Sequence, residues 1–375
     1  MKYVNSEYPE NKISVFSTCL HCKSTALTPL ISQPRIAAAC GTFRRYHNKL
    51  TFSSTTSSFY PIQLMAQKLI IDTDPGIDDA FALTLAMLEP KLDVQVITAT
   101  SGNVSSRQAT RNVQTIIEQL DPLPWPRFGA ASAEPEETNI HATHIHGKDG
   151  LGESTFNVAE LHHLHRSDKL LCDTIHNAPH TFRILAIGPL TNLASAFRRD
   201  PTLPKLIQNL VIMGGSLSVG GNVTAMAEFN IYADPLAARE VFHSPVPKLL
   251  VPLDVTQKFL FSFNHFDLLP SEKTRTGKLL RQIIPFAFRS HHHLLGLEGI
   301  YLHDVLALIA LVKPDLFQTE NISCDIETTG ELTRGTTIVD RRIGVYQPPN
   351  IEVVVDVDLD GVIDYLWATL ARAVP

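Results

Sequence analysis

The sequence lacks long apolar runs. No stretch approaches the roughly 18 consecutive apolar residues that a bilayer-spanning helix needs, so nothing in it reads as a membrane span. Cysteine is scarce. The five residues Cys19, Cys22, Cys40, Cys172 and Cys324 are odd in number and scattered, which argues against a disulfide framework and fits a reducing compartment. The Cys19-x-x-Cys22 pair has no second pair at metal-site spacing and no strand–helix frame around it, so it is read as incidental. Positive charge is not in excess either. A net charge of −6 and a pI near 6.2 give nucleic acid or an anionic membrane no electrostatic hold on the chain. Internal repeats are absent, and an apolar content of 44% is ordinary for a globular protein.

Composition does change along the chain. Residues 1–64 carry seven Lys and Arg against two Glu, about +5, which leaves about −11 for the remainder. Thr51–Ser58 is almost all Ser and Thr, and no sustained period precedes it. A basic, Ser-rich and acid-poor segment without an apolar core resembles an organellar transit peptide more than a secretion signal. Met65 offers another reading, in which translation starts there and residues 1–64 are not in the mature protein. The second reading is preferred because Met65-Ala-Gln-Lys opens directly onto the first convincing strand. The expectation is a catalytic domain over 65–375, in the cytoplasm, or in mitochondria if 1–64 acts as a transit peptide.

From residue 68 onward, short apolar runs alternate with helical patterns. Strands are expected at Lys68–Asp72, Val94–Ala99, Arg183–Ile187, Leu210–Met213, Lys248–Leu253 and Ile351–Val357. Helices are expected at Asp78–Leu88, Ser105–Gln119, Leu190–Arg198, Pro235–Phe242 and Gly361–Ala373. Near-continuous apolar strands between helices predict an α/β fold, with a mainly parallel central sheet covered by helices on both faces. Residues 138–167 read as a long loop, and 265–303 as helical with a His-rich segment.

The segment Asp72-Thr73-Asp74-Pro75-Gly76-Ile77-Asp78-Asp79 places four carboxylates at the carboxyl end of a strand and the start of a helix, where ligands sit in open parallel sheets. The helix dipole favours each first-turn carboxylate by about 0.3–1 kcal/mol, too little to offset repulsion among four clustered anions. A hard divalent cation resolves the conflict, and all-oxygen ligation suits Ca²⁺ or Mg²⁺ better than zinc. The spacing is not that of an EF-hand, since Ile77 and Leu83 stand where Gly and an acidic residue are required. Helix capping would account for Asp78 alone, but not for the set.

That segment, completed by Ala80, resembles the N-terminal signature D-x-D-x-G-x-D-D-A of the inosine-uridine nucleoside hydrolases. Further motifs follow in the family's order: Gly102-Asn103, His146-Gly147, Gly188-Pro189-Leu190-Thr191-Asn192, Met213-Gly214-Gly215, Gly221-Asn222, Glu228-Phe229-Asn230, Asp234-Pro235, Leu302-His303-Asp304 and a G-x-L-T-x-G stretch within 327–340. The resemblance runs from about residue 68 to the C-terminus. Val305 departs from the proline that many relatives carry after the His-Asp pair.

The resemblance implies a Rossmann-like nucleoside hydrolase fold and hydrolysis of ribonucleosides to base and ribose. It implies calcium held by Asp74, Asp79, Asp304 and the carbonyl of Ile187, with Asp74 as general base on the activated water. Asp78, Asn103, Met213, Asn222, Glu228 and Asn230 would bind substrate. Singly, Asn222 reads as a turn residue, and Glu228 and Asn230 as a helix start. The expected chemistry is an oxocarbenium-like ribosyl transition state attacked by water, its positive charge stabilised by surrounding anions. His303 and His146 match the family's active-site histidines, and a group titrating near neutrality suits protonation of a departing base. His291-His292-His293 diverge on a helix and cannot converge on one metal, although one can face the base. The pairing of His303 with Asp304 favours uridine, with inosine, cytidine and nicotinamide riboside open, and base choice is assigned to residues 286–301. A homodimer or homotetramer is implied. Two other readings compete. A haloacid-dehalogenase-type phosphatase would use Asp72 as nucleophile, and a calcium- or ribose-binding protein would keep the scaffold without turnover.

Overall fold

A computed structural model describes residues 66–374 apart from 133–139, 161–163 and 343–346. The readings of residues 1–64, including the Cys19–Cys22 pair, lie outside the described residues. The unit Ile62–Pro375 is built around a nine-stranded sheet. In spatial order its strands are Phe317–Ile322, Ile351–Val357, Lys248–Val251, Asn209–Met213, Arg183–Ala186, Gln67–Thr73, Leu92–Ala99, Arg127–Ala130 and His165–Arg166. All neighbours run parallel except Phe317–Ile322, which is antiparallel to Ile351–Val357.

Strand alternation divides the core between the two faces of the sheet. Leu69 and Ile71 join Phe81 and Leu85 of the helix Ile77–Leu88, while Ile70 joins Leu193 and Phe197 of the helix Thr191–Arg199. Full burial of each such Leu, Ile or Phe contributes about 1.5–3 kcal/mol. The chain first passes from Gln67–Thr73 to Leu92–Ala99 on one side, and later places Arg183–Ala186 on the other. This reversal opens a crevice at the carboxyl ends of the central strands, the usual ligand position in such sheets.

The expected elements are present with shifts of a few residues, and the structure differs in several places. Residues 138–167, read as one loop, contain the short helix Thr143–His146 and the edge strand His165–Arg166. The strand expected over Lys248–Leu253 stops at Val251, because Pro252 turns the chain into a short helix, Leu253–Thr256. The helical span 265–303 resolves into Phe263–Asp267, Arg275–Leu295 and a strand, Gly299–Tyr301. The helices Ser167–Asn177 and His303–Val312 and the sheet strands Arg127–Ala130 and Phe317–Ile322 are not marked in the sequence.

Candidate active site and metal centre

The first strand ends at Thr73, and Asp74-Pro75-Gly76 carries the chain into the helix Ile77–Leu88. Asp79 reaches back to accept the Gly76 N–H at 2.9 Å and also accepts the Thr73 hydroxyl, so one carboxylate shapes the turn that holds the others. Asp74 is fully buried between two glycines. A Cβ on Gly102 or Gly188 would come within 2.1 or 2.5 Å of its carboxylate oxygens, so neither position admits a side chain without movement. Asn103 joins the pair, its backbone N–H on Asp74 Oδ2 at 2.6 Å and its side-chain amide on Asp79 Oδ2 at 3.1 Å.

Asp304 arrives from far along the chain, in the first turn of the helix His303–Val312. One carboxylate oxygen each from Asp78, Asp79 and Asp304 lies within 4.8 Å of the others. Burial, followed by the negative charges of Asp79 and Asp78, holds the Asp74 carboxyl well above its usual range, and burial with the neighbouring acids does the same to Asp304. Burial first raises Asp78 and Asp79 to about 6. Asp74 Oδ1 and Asp78 Oδ1 are buried without a hydrogen-bond partner. Crowded, desolvated carboxylates with orphan oxygens are the donor set of a hard divalent cation, so these residues fit a metal.

Ten of the residues singled out in the sequence line one cavity of about 820 Å³: Asp78, Asn103, His146, Ile187, Met213, Asn222, Glu228, Asn230, His303 and Asp304. Asp74 and Asp79 lie fully buried behind that wall. The structure also redistributes the acids. Asp78, expected at the ribose, belongs to the three-carboxylate group, while Asp74 borders it. Asp72 stands apart, its Oδ1 accepting Thr98 Oγ1 at 2.6 Å and Asn192 Nδ2 at 2.8 Å, with burial raising it to about 7.

Across the cavity, Glu228 caps the helix Phe229–Ala233. It accepts the N–H groups of Gly215, Asn230 and Ile231 at 2.9–3.1 Å, and burial still raises its carboxyl to about 7. Asn230 Nδ2 donates to the Ile187 carbonyl at 3.1 Å and to the Met213 carbonyl at 3.3 Å. Asn222 Oδ1 accepts the Phe229 N–H at 2.8 Å. The helix-start reading therefore holds for the Glu228 side chain, while Asn222 and Asn230 bond neighbouring backbone, and all three residues face the cavity.

Both matched histidines differ from the expectation of titration near neutrality. Burial lowers His146 to about 4 and His303 to about 3, so each imidazole is neutral around pH 7. His146 Nδ1 accepts the Ile77 N–H at 3.2 Å. His291 is buried, lines the cavity and is also lowered by burial, whereas His292 and His293 are exposed, as three successive helical positions require. The sequence reading did not single out Tyr301, His141 or His144, which line the cavity, or Thr256, which bonds His303 at 2.8 Å. A lone Thr or Tyr carries no spacing signal that could have marked it.

The inosine-uridine preferring nucleoside hydrolase family profile matches residues 69–364. The chain belongs to this family. It is 36% identical over 311 residues to the non-specific ribonucleoside hydrolase RihC of Escherichia coli, covering 82% of this chain and all of the relative. RihC of Salmonella agona is 37% identical over 296 residues, covering 78% and 94%. Among solved structures, a plant nucleoside hydrolase, PpNRh1, superposes with a TM-score of 0.76 at 31% identity, covering 82% of this chain and 99% of the other. A purine-preferring ribonucleoside hydrolase from Gardnerella vaginalis gives 0.75 at 28%, covering 81% and 98%. This chain is therefore an enzyme of nucleoside hydrolysis. Family membership removes the phosphatase alternative, whose nucleophile, Asp72, is tied to Thr98 and Asn192. No helix among the described residues is long and apolar enough to cross a membrane.

Proposed function

We propose that this enzyme hydrolyses the N-glycosidic bond of ribonucleosides, uridine first among them, with calcium as its cofactor. One observation carries the reading: Asp78, Asp79 and Asp304 bring carboxylate oxygens within 4.8 Å of one another at a cavity that also presents His146 and His303. Asp74, Asp79, Asp304 and the Ile187 carbonyl would hold the cation, with Asp78 shared between it and the ribose hydroxyls. When bound, calcium supplies Lewis acidity that lowers the pKa of water and fixes a sugar diol.

The chain's own residues perform the rest. Asp74 accepts a proton as water attacks C1′. The C1′–N bond breaks as the C1′–O bond forms. One water hydrogen stays on the new hydroxyl, and the other is carried, by way of Asp74 and exchange, to the released base. The anionic floor opposes the positive charge of the ribosyl transition state more strongly than the neutral ground state, so it raises rate and not affinity alone. Neutral His303 and His146 serve as hydrogen-bonding partners of the base, while Asn103, Met213, Asn222, Glu228 and Asn230 orient the sugar. A cytoplasmic homodimer or homotetramer completes the proposal, and light scattering checks the assembly.

A reducing-sugar assay across a panel of nucleosides tests the reading. Release of ribose from uridine is expected, abolished by chelation and restored by calcium. Turnover that chelation leaves unchanged contradicts the cofactor, and an absence of ribose from every nucleoside contradicts the function.

A further inference from the structure

The wall of the cavity formed by His303 is braced from outside. Pro252 ends the strand Lys248–Val251 and starts the helix Leu253–Thr256, whose last residue is fully buried. The Thr256 N–H is bonded to the Pro252 carbonyl at 3.1 Å, which ties the residue into the helical turn. Its hydroxyl oxygen lies 2.8 Å from His303 Nδ1. Tyr301, with its ring centroid 5.3 Å away and tilted by 32°, restrains the imidazole from another side.

We infer that Thr256 is a positioning residue, fixing the rotation and tautomer of His303 so that Nε2–H is the donor available to the departing base. This inference rests on the hydrolase reading above. A buried hydroxyl is costly unless it donates, and His303 Nδ1 is the acceptor the structure gives it. Donation into Nδ1 requires that nitrogen to be unprotonated, which leaves the ring hydrogen on Nε2. With Nδ1 occupied, Nε2 is the ring nitrogen that remains for a ligand. A neutral imidazole held this way donates a hydrogen bond to the base nitrogen or oxygen on which negative charge builds as the C1′–N bond lengthens. No proton need leave the ring. Without the Thr256 hydroxyl the ring is free to rotate and to take the other tautomer, presenting an acceptor where a donor is required.

The test compares the full-length calcium-loaded enzyme with Thr256→Val, which preserves shape without the hydroxyl, and Thr256→Ser, which restores the hydroxyl. Two substrates are used: uridine, whose leaving base needs a donor, and 4-nitrophenyl β-riboside, whose leaving group is already a weak base. Thr256→Val is expected to lower kcat on uridine by about 10- to 100-fold, with KM changed by less than about threefold. Its rate on the nitrophenyl riboside stays within about threefold of wild type, and Thr256→Ser recovers most of the uridine rate. Imidazole nitrogen NMR, assigned with His303→Gln, is expected to show a protonated Nε2 in wild type. Equal losses on both substrates, an unchanged uridine rate in Thr256→Val, or a protonated Nδ1 in wild type would each overturn the inference. If Thr256→Val does not fold, the tautomer measurement on wild type decides. Wild-type enzyme inactive on both substrates would contradict the hydrolase reading instead, so the two failures are distinguishable.

Discussion

The two ends of the helix Ile77–Leu88 each bury carboxylates, and they treat them in opposite ways. At the C-terminal end, Glu89 is 2% exposed and fully matched, with Tyr365 Oη donating to it at 2.6 Å, Arg372 Nη1 at 2.9 Å and the Lys91 N–H at 3.0 Å. Those partners outweigh burial and lower its pKa. At the N-terminal end, Asp78, Asp79 and Asp304 share one small space, no Lys or Arg lines the adjoining cavity among the described residues, and burial raises all three. Both ends lie on the same helix, so a difference in secondary structure does not explain the contrast. A buried charge with its own side-chain partners ties the helix Leu359–Leu370 and the Arg372 that follows it to the helix Ile77–Leu88. Buried carboxylates with no Lys or Arg partner form a site awaiting a ligand of opposite sign.

The largest effect that would break this comparison is on rate. Asp74→Asn removes the proton acceptor and keeps the shape, so kcat on uridine should fall by about 10²- to 10⁴-fold while circular dichroism is unchanged. Were the acidic end only a helix cap, this variant would turn over normally. Next comes the response to cation. Calcium at about 100 times its dissociation constant should raise the unfolding free energy by about 2.7 kcal/mol in wild type and in Arg372→Ala, but not in Asp304→Asn, as read by urea denaturation.

At the other end, Arg372→Ala leaves Glu89 short of its cation and should cost about 1.5–3 kcal/mol of stability, with kcat unchanged. The pH dependence has a definite sign. Because the folded Glu89 pKa lies below its ordinary value of 4.5, its contribution is fully present above that value and is lost as pH falls through the folded pKa. The stability gap between wild type and Glu89→Gln should therefore close on acidification below about pH 4.5. The smallest expected effect is that of Tyr365→Phe, about 1.5 kcal/mol, the lower end for a hydrogen bond to a charged group.

The sequence made the interior strands legible because they are short apolar runs bounded by turn residues, and Gln67–Thr73 and Asn209–Met213 fall where that pattern puts them. The edge strand Phe317–Ile322 was not legible. It is polar and largely exposed, and its pairing with Ile351–Val357 depends on partners 29 to 40 residues away, a separation no local period encodes. At the site, the Asp72–Asp79 spacing marked a strand end crowded with charge, but spacing does not say which way a carboxylate points. Asp72 turns to Thr98 and Asn192, and Asp78 joins Asp304, because strand alternation and the helical turn orient them after folding. The histidines were found, but their lowered pKa values were not, since burial is a property of the folded wall.

Calorimetric titration of calcium into metal-stripped enzyme tests the acidic end most directly, with wild type compared against Asp79→Asn and Asp304→Asn. Binding is expected at a single site per chain in wild type, with the heat lost in both variants although their substitutions lie more than two hundred residues apart in sequence. Calcium binding of undiminished affinity in either variant, or none in a wild-type enzyme that still releases ribose, would contradict the account.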